Sequence, residues 1–352
     1  MVDGKIGKHS GVGFETLWVG GINGMEAELV KRARIEYQEI PAAGVHGVGL
    51  RALPGNTVKL ARGYRQSQHI LKSFRPDVLF FTGGYIAVPM ALAGRRYASL
   101  VFAPDIEPGL ALRTIVRSAS RIAVTVEESR AYYQKKEKVV VTGYPTRASL
   151  TEWTTLDAFD VFQLDNQLPV LLVFGGSKGA RSINQALLAG LPELLDEMQI
   201  IHISGALDWE QVDAAKAHLS EGQILRYRAF PYLHDRMGAA FRAADLVLSR
   251  AGASTLGEFP AFSLPAILVP YPHAWHYQKV NAQYLADRGA AKVIADESLQ
   301  TELVREVLEL VRDRAVLEQM AQAMNSLAAP HAAQKIASSL IDLANHARKQ
   351  RM

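Results

Sequence analysis

The chain contains no cysteine in 352 residues, so disulfides and thiolate metal sites are excluded and a reducing, cytoplasmic setting fits. Met1 to Ser10 has no apolar core of the signal-peptide kind, so secretion is not indicated. Long hydrophobic runs are scarce as well. The uncharged stretch Val78 to Gly94 is nearly long enough to span a bilayer, but Gly83, Gly84 and Pro89 interrupt it, and it reads as strand, glycine loop and helix. Acidic residues are sparse in one half only. Residues 1–150 hold 21 Lys and Arg against 12 Asp and Glu, whereas residues 151–352 hold 18 against 23. Between Arg51 and Arg121, 11 basic residues face 3 acidic ones. No zinc, helix-turn-helix or RNP-type signature accompanies this basic half, so nucleic acid is not expected and an anionic membrane surface is the better partner.

What is present is the composition of a globular α/β protein, with 49% apolar and 21% charged residues and length enough for two domains. Apolar runs alternate with helical-period segments. Thr16–Val19, Val78–Phe81, Leu100–Phe102, Ile122–Val126, Val139–Val141, Val170–Phe174, Gln199–Ile203, Leu246–Leu248 and Ala266–Val269 read as strands, and such alternation predicts parallel sheets covered by helices. Leu150 to Leu168 lacks a sustained period and reads as a linker. The expected division is therefore residues 1–149, a linker at 150–168, a second domain at 169–330 and a terminal helix in 331–352.

Three segments carry chemistry. The first, Phe174-Gly175-Gly176-Ser177-Lys178-Gly179-Ala180-Arg181-Ser182-Ile183-Asn184, follows the apolar run Val170–Val173 directly. A strand that breaks into glycines and enters a helix brings bare N–H groups and a positive dipole end to one point, which suits a phosphate; a plain tight turn is the alternative. The second, Arg250-Ala251-Gly252-Ala253-Ser254-Thr255-Leu256-Gly257-Glu258, also follows an apolar run. Glu258 lies one helical turn past Ser254, so a carboxylate stands beside the N–H groups of a helix start, as a ribose diol next to a phosphate would require. The third, Pro270 to Ala282, supplies amides and rings able to read a sugar.

In this order the three segments resemble the MurG family of bacterial glycosyltransferases, and the match continues through Gly24–Val30, Gly83-Gly84-Tyr85 and Gly143–Arg147. The resemblance implies a GT-B fold, two Rossmann-like doubly wound domains facing each other across a cleft, with the terminal helix returning to the first domain. It implies an inverting transfer of N-acetylglucosamine from its UDP sugar to lipid I at the cytoplasmic face of the membrane, for peptidoglycan. Family members begin with a strand, a glycine loop ending in His, and a helix. Met1 to Phe14 is too short for these, so the first domain is expected to lack its first strand, through a late-started reading frame or as a natural variant. That leaves two further readings, an impaired UDP-sugar-binding protein and a UDP-sugar epimerase of the same fold.

By resemblance, Arg147 and Ser177, with Gly175, Gly176 and Gly179, meet the diphosphate; Ser254 and Thr255 offer backbone to it; Glu258 meets the ribose; Leu233 the uracil; Ala253 and Gln278 the sugar hydroxyls. Asn281 is expected to support them, and Gly83, Gly84 and Tyr85 to serve the acceptor side. Tyr277 stands where the family has a second Gln. No Asp-x-Asp pair occurs, so neither metal nor cofactor is expected. Asp105 and Glu107, bracketed by Pro104 and Pro108 after a strand, read either as a rigid site loop or as an acidic helix entry; with the family's N-terminal His missing, either becomes a candidate base. His46, in the glycine-rich loop Gly44–Leu50, is a further candidate or a solvated loop residue. In Asn56 to Arg75, helical spacing places Leu60, Tyr64, Ser67, Leu71 and Phe74 on one face and Lys59, Arg62, Arg65, His69 and Lys72 on another, a core stripe with either a solvated or a membrane-facing basic side.

Overall fold

The computed structural model describes residues 13–24, 26–43, 53–176, 179–272 and 276–351. Two compact units emerge: the first comprises 1–104, 108–141 and 334–352, the second 105–107 and 142–333. Both are parallel α/β structures, as the alternation of apolar runs with helical segments requires.

The first unit contains β1 (Leu17–Gly21), β2 (Glu36–Ile40), β3 (Val78–Phe81), β4 (Ala98–Ala103), β5 (Arg121–Val124) and β6 (Val139–Val141). Among the described residues these form two ladders, β1-β2 and β3-β4-β5-β6. Both ladders share one core, in which Ile40, Val101, Val124, Ile122 and Val139 are buried and Leu17 and Val19 pack against them. The helix Leu53–Phe74 buries Gly63, Ser67, Ile70 and Leu71. Tyr64 departs from the predicted stripe and is 37% exposed, because the buried face is centred one position earlier, where Gly63 lets the helix approach the Pro41 carbonyl. Lys59, Arg62, Arg65, His69 and Lys72 are all exposed.

The second unit is built on β7 (Val170–Phe174), β8 (Gln199–Ile203), β9 (Tyr227–Phe230), β10 (Leu246–Ser249), β11 (Ala266–Leu268) and β12 (Ala291–Val293), in the order β12-β11-β10-β7-β8-β9. The chain builds outward from β7 through β8 to β9, then returns to the other side of β7 with β10. The switch point of this doubly wound sheet therefore lies between β7 and β10, where ligands bind at the carboxyl ends of the strands. The central strands are apolar throughout because both faces are covered: Leu171, Leu172, Val173, Leu246, Val247 and Leu248 are at most 1% exposed. Segment 150–168, predicted as a linker, carries the helix Thr155–Phe162, capped by the Thr154 hydroxyl, which accepts from the Asp157 N–H. Its Phe162 is fully buried, edge-on to Phe230.

Candidate functional site

The first two chemistry-bearing segments leave neighbouring strands at the switch point. Phe174 and Ser249 are paired in register, so Gly175 and Arg250 follow side by side. At the first turn Gly176 and Gly179 have φ of 83° and 76°, and the Gly179 N–H bonds to the Gly176 carbonyl at 3.0 Å. A side chain at Gly179 would also meet the Ser204 carbonyl, so no other residue closes this turn without strain. The helix Arg181–Ala189 follows with Ala180 at its N-cap and no capping side chain. Its first N–H groups have no capping side chain among the described residues, which suits a ligand or solvent. Ser177 lies outside the described residues, as do His46 and the His273–Trp275 part of the third segment.

At the second turn Thr255 donates its hydroxyl to the Gly252 carbonyl at 2.7 Å, tightening the entry to the helix Thr255–Phe262. The Glu258 N–H bonds to the Ser254 carbonyl at 2.7 Å, and the two side chains are hydrogen bonded. Burial raises the Glu258 carboxyl above the usual range, against the opposing influence of Ser254 and the Arg147 guanidinium. Arg147 and Glu258 are thus brought together from positions far apart in sequence. Leu233 is 3% exposed, so its side chain is core and only its backbone can face a base. Gln278 accepts from the Tyr271 N–H at 2.9 Å through Oε1, and its amide donors, which have no partner among the described residues, can serve a ligand. Ala253 lies at the same turn, half-buried.

Asp105 and Glu107 belong by contact to the second unit. Asn281, fully buried on the helix Tyr277–Ala286, donates to Asp105 Oδ1 at 2.8 Å and to the Ala251 carbonyl at 3.2 Å, and its Oδ1 accepts from the Ile106 N–H at 3.2 Å. It ties the Asp105 loop to the turn after β10. Burial raises the Asp105 carboxyl, and the Asn281 bond opposes the rise. In the first unit Gly83 and Gly84 follow β3 with φ of 105° and 81°, and Tyr85 is 61% exposed.

Tyr144 was missed as a candidate by sequence reasoning. Its ring covers Gly257, where a Cβ would come within 2.6 Å. Burial, then Glu258 and Asp105, push its phenol up to about 12, opposed by Arg147. The Gly143-Tyr144-Pro145 wording was the only signal for it. Among the described residues no three His, Cys, Asp or Glu side chains converge as metal ligands.

Residues 170–336 match the glycosyltransferase family 28 C-terminal domain and residues 8–124 the glycosyltransferase family 28 N-terminal domain. A UDP-N-acetylglucosamine–N-acetylmuramyl-(pentapeptide) pyrophosphoryl-undecaprenol N-acetylglucosamine transferase from Roseiflexus sp. (strain RS-1) is 38% identical over 364 residues, covering 92% of this chain and 82% of the relative. The crystal structure of Acinetobacter baumannii MurG superimposes with a TM-score of 0.71 at 25% identity, covering 92% of this chain and 90% of that one. A UDP-GlcNAc 2-epimerase from Neisseria meningitidis, bound to UDP-GlcNAc, reaches 0.67 at 13% identity over 95% and 93%, a likeness of fold alone.

Proposed function

The chain belongs to glycosyltransferase family 28, within it to the MurG transferases, and we propose that the second unit holds the donor for their reaction. That reaction is transfer of N-acetylglucosamine from UDP-N-acetylglucosamine to undecaprenyl-pyrophosphoryl-N-acetylmuramyl-pentapeptide, forming lipid II. The observation that carries the donor-site reading is the pairing of Phe174 with Ser249, which sets the glycine turn and the Ser254–Glu258 turn next to each other at the switch point. The diphosphate is held by the N–H groups entering the helix Arg181–Ala189 and by Arg147, with Glu258 on the ribose diol.

In the chemical step the acceptor hydroxyl attacks the anomeric carbon from the face opposite the diphosphate. A base removes its proton, and the bond to UDP breaks with its electron pair leaving on the β-phosphate oxygen. Asp105 supports the base role best, since Asn281 fixes its carboxylate and burial raises its affinity for the incoming proton. Gly83, Gly84 and Tyr85 serve the acceptor. The exposed cations of the helix Leu53–Phe74 support peripheral attachment to an anionic membrane surface, each adding about 1 kcal/mol near such lipid; among the described residues no helix is long and apolar enough to cross a membrane.

Transfer of labelled N-acetylglucosamine from UDP-N-acetylglucosamine to a lipid I analogue tests the reading. Release of free sugar epimer without acceptor would establish the epimerase alternative instead, and UDP binding with neither product would leave a binding protein.

A further inference from the structure

The guanidinium of Arg250 makes contacts that the donor-site reading does not use. Its side chain is 12% exposed. Nη1 donates to Asp296 Oδ1 at 2.5 Å and to the Val269 carbonyl at 3.2 Å, and Nη2 donates to Ser182 Oγ at 2.7 Å. Ser182 in turn donates its hydroxyl to Asp296 Oδ1 at 2.7 Å, which closes a three-membered ring of side chains. The guanidinium carbon also lies 5.3 Å from the centre of the Tyr271 ring.

These partners have a pattern. Ser182 is at the start of the helix after β7, Arg250 follows β10, Val269 and Tyr271 follow β11, and Asp296 follows β12. One cation therefore ties the carboxyl ends of four adjacent parallel strands. It joins the glycine turn, the small-residue turn and the Tyr271–Gln278 segment, whose two ends are already linked by a hydrogen bond. The planar fork of Arg matches this geometry; a Lys ammonium could hold Asp296 but could not reach both sides.

We propose that Arg250 is a positioning residue for the donor: through Ser182, Asp296 and Tyr271 it fixes the spacing of the three segments that surround the UDP sugar. The proposal rests on the donor-site reading above. A misplacement of about 1 Å can cost as much as 10²-fold in a positioned reaction, so loosening this cluster reaches the donor without removing any group that touches it.

The test uses the full chain, with UDP binding by calorimetry, KM for each substrate, kcat, and thermal unfolding. Arg250→Met is expected to raise the UDP Kd and the donor KM about tenfold while the acceptor KM stays put, and Arg250→Lys to recover part of the loss. Ser182→Ala and Asp296→Asn should move the same two constants in the same direction, by about threefold. Where Arg250→Met does not fold, Ser182→Ala decides, since it removes one half-buried hydroxyl and no charge. Unchanged UDP affinity in Ser182→Ala and Asp296→Asn alongside a loss in Arg250→Met would mean that Arg250 contacts the ligand itself, and the proposal would fall. It falls equally if donor and acceptor KM rise together. An unmodified chain that fails to bind UDP would remove the donor-site reading itself, which is a different result from intact binding insensitive to all four substitutions.

Discussion

At the scale of single residues, the second unit shows how burial assigns protonation. His202 is fully buried, with Nδ1 2.7 Å from the Tyr227 hydroxyl and Nε2 3.0 Å from Asn184 Oδ1. Burial brings its pKa from 6.5 down to about 3, so it stays neutral in the folded protein. The unfolded chain binds a proton there below about pH 6.5 and the folded one does not, so stability falls as pH drops. Between about pH 7.5 and 5 the loss from this group is about 2 kcal/mol. His202→Gln keeps a polar partner for Tyr227 and should flatten that dependence, as urea titrations at the two pH values would reveal; a slope equal to that of the unmodified protein would contradict it. Asp105→Asn tests the base: turnover should drop by about 10²- to 10⁴-fold with UDP affinity unchanged. Full activity in both Asp105→Asn and Glu107→Gln would leave the carboxylates with no chemical role. Glu258→Ala should weaken UDP more than a ligand that lacks the ribose diol.

Among the elements, the glycine turn is the least replaceable. Gly179→Ala imposes a side chain at φ 76° against the Ser204 carbonyl and should weaken UDP binding about tenfold or more, at a stability cost of about 1–3 kcal/mol. Calorimetry and thermal unfolding on the same sample separate the two. What could be read in advance follows the same physics. The central strands β7 and β10 announce themselves as apolar runs that end in glycine or small residues, because a strand covered on both faces has little choice of side chain. The strands that sequence reasoning overlooked are all edges: β2 is Glu-Tyr-Gln-Glu-Ile, β9 is Tyr-Arg-Ala-Phe, and β12 is Ala-Lys-Val. These three carry polar or charged residues as edge strands commonly do, so neither a run nor a clean alternation marks them, whereas the edges β3 and β6 are apolar runs and were legible. Likewise Glu258 was legible one turn from Ser254, whereas Tyr144 and the Arg250 cluster depend on residues scores of positions apart. The helix Thr155–Phe162 is too short to show a period, and its Thr154 cap was the available sign.

For the molecule as a whole, the absence of an Asp-x-Asp pair sets the expectation that the leaving diphosphate is stabilised by backbone N–H groups and Arg147. Transfer should then survive EDTA, and complete loss restored by one divalent ion would overturn that. Binding to anionic vesicles should weaken as salt rises, since the Debye length shrinks from about 10 Å at 0.1 M to about 3 Å at 1 M; equal flotation with neutral vesicles would exclude an electrostatic origin. The unequal sheets have a further consequence. In the second unit six strands form one ladder with β7 and β10 fully covered, whereas in the first unit, among the described residues, β1 is hydrogen bonded to β2 alone. Opening free energies differ across a structure, and a ladder of two strands has fewer backbone partners holding it closed than one of six. Backbone amides of Leu171 to Val173 and Val247 to Leu248 should therefore exchange with deuterium last, and those of Trp18 to Gly20 and Tyr37 to Glu39 among the first of any strand. The protein would then carry its slowest clock under the nucleotide turns and its fastest in the first strand pair.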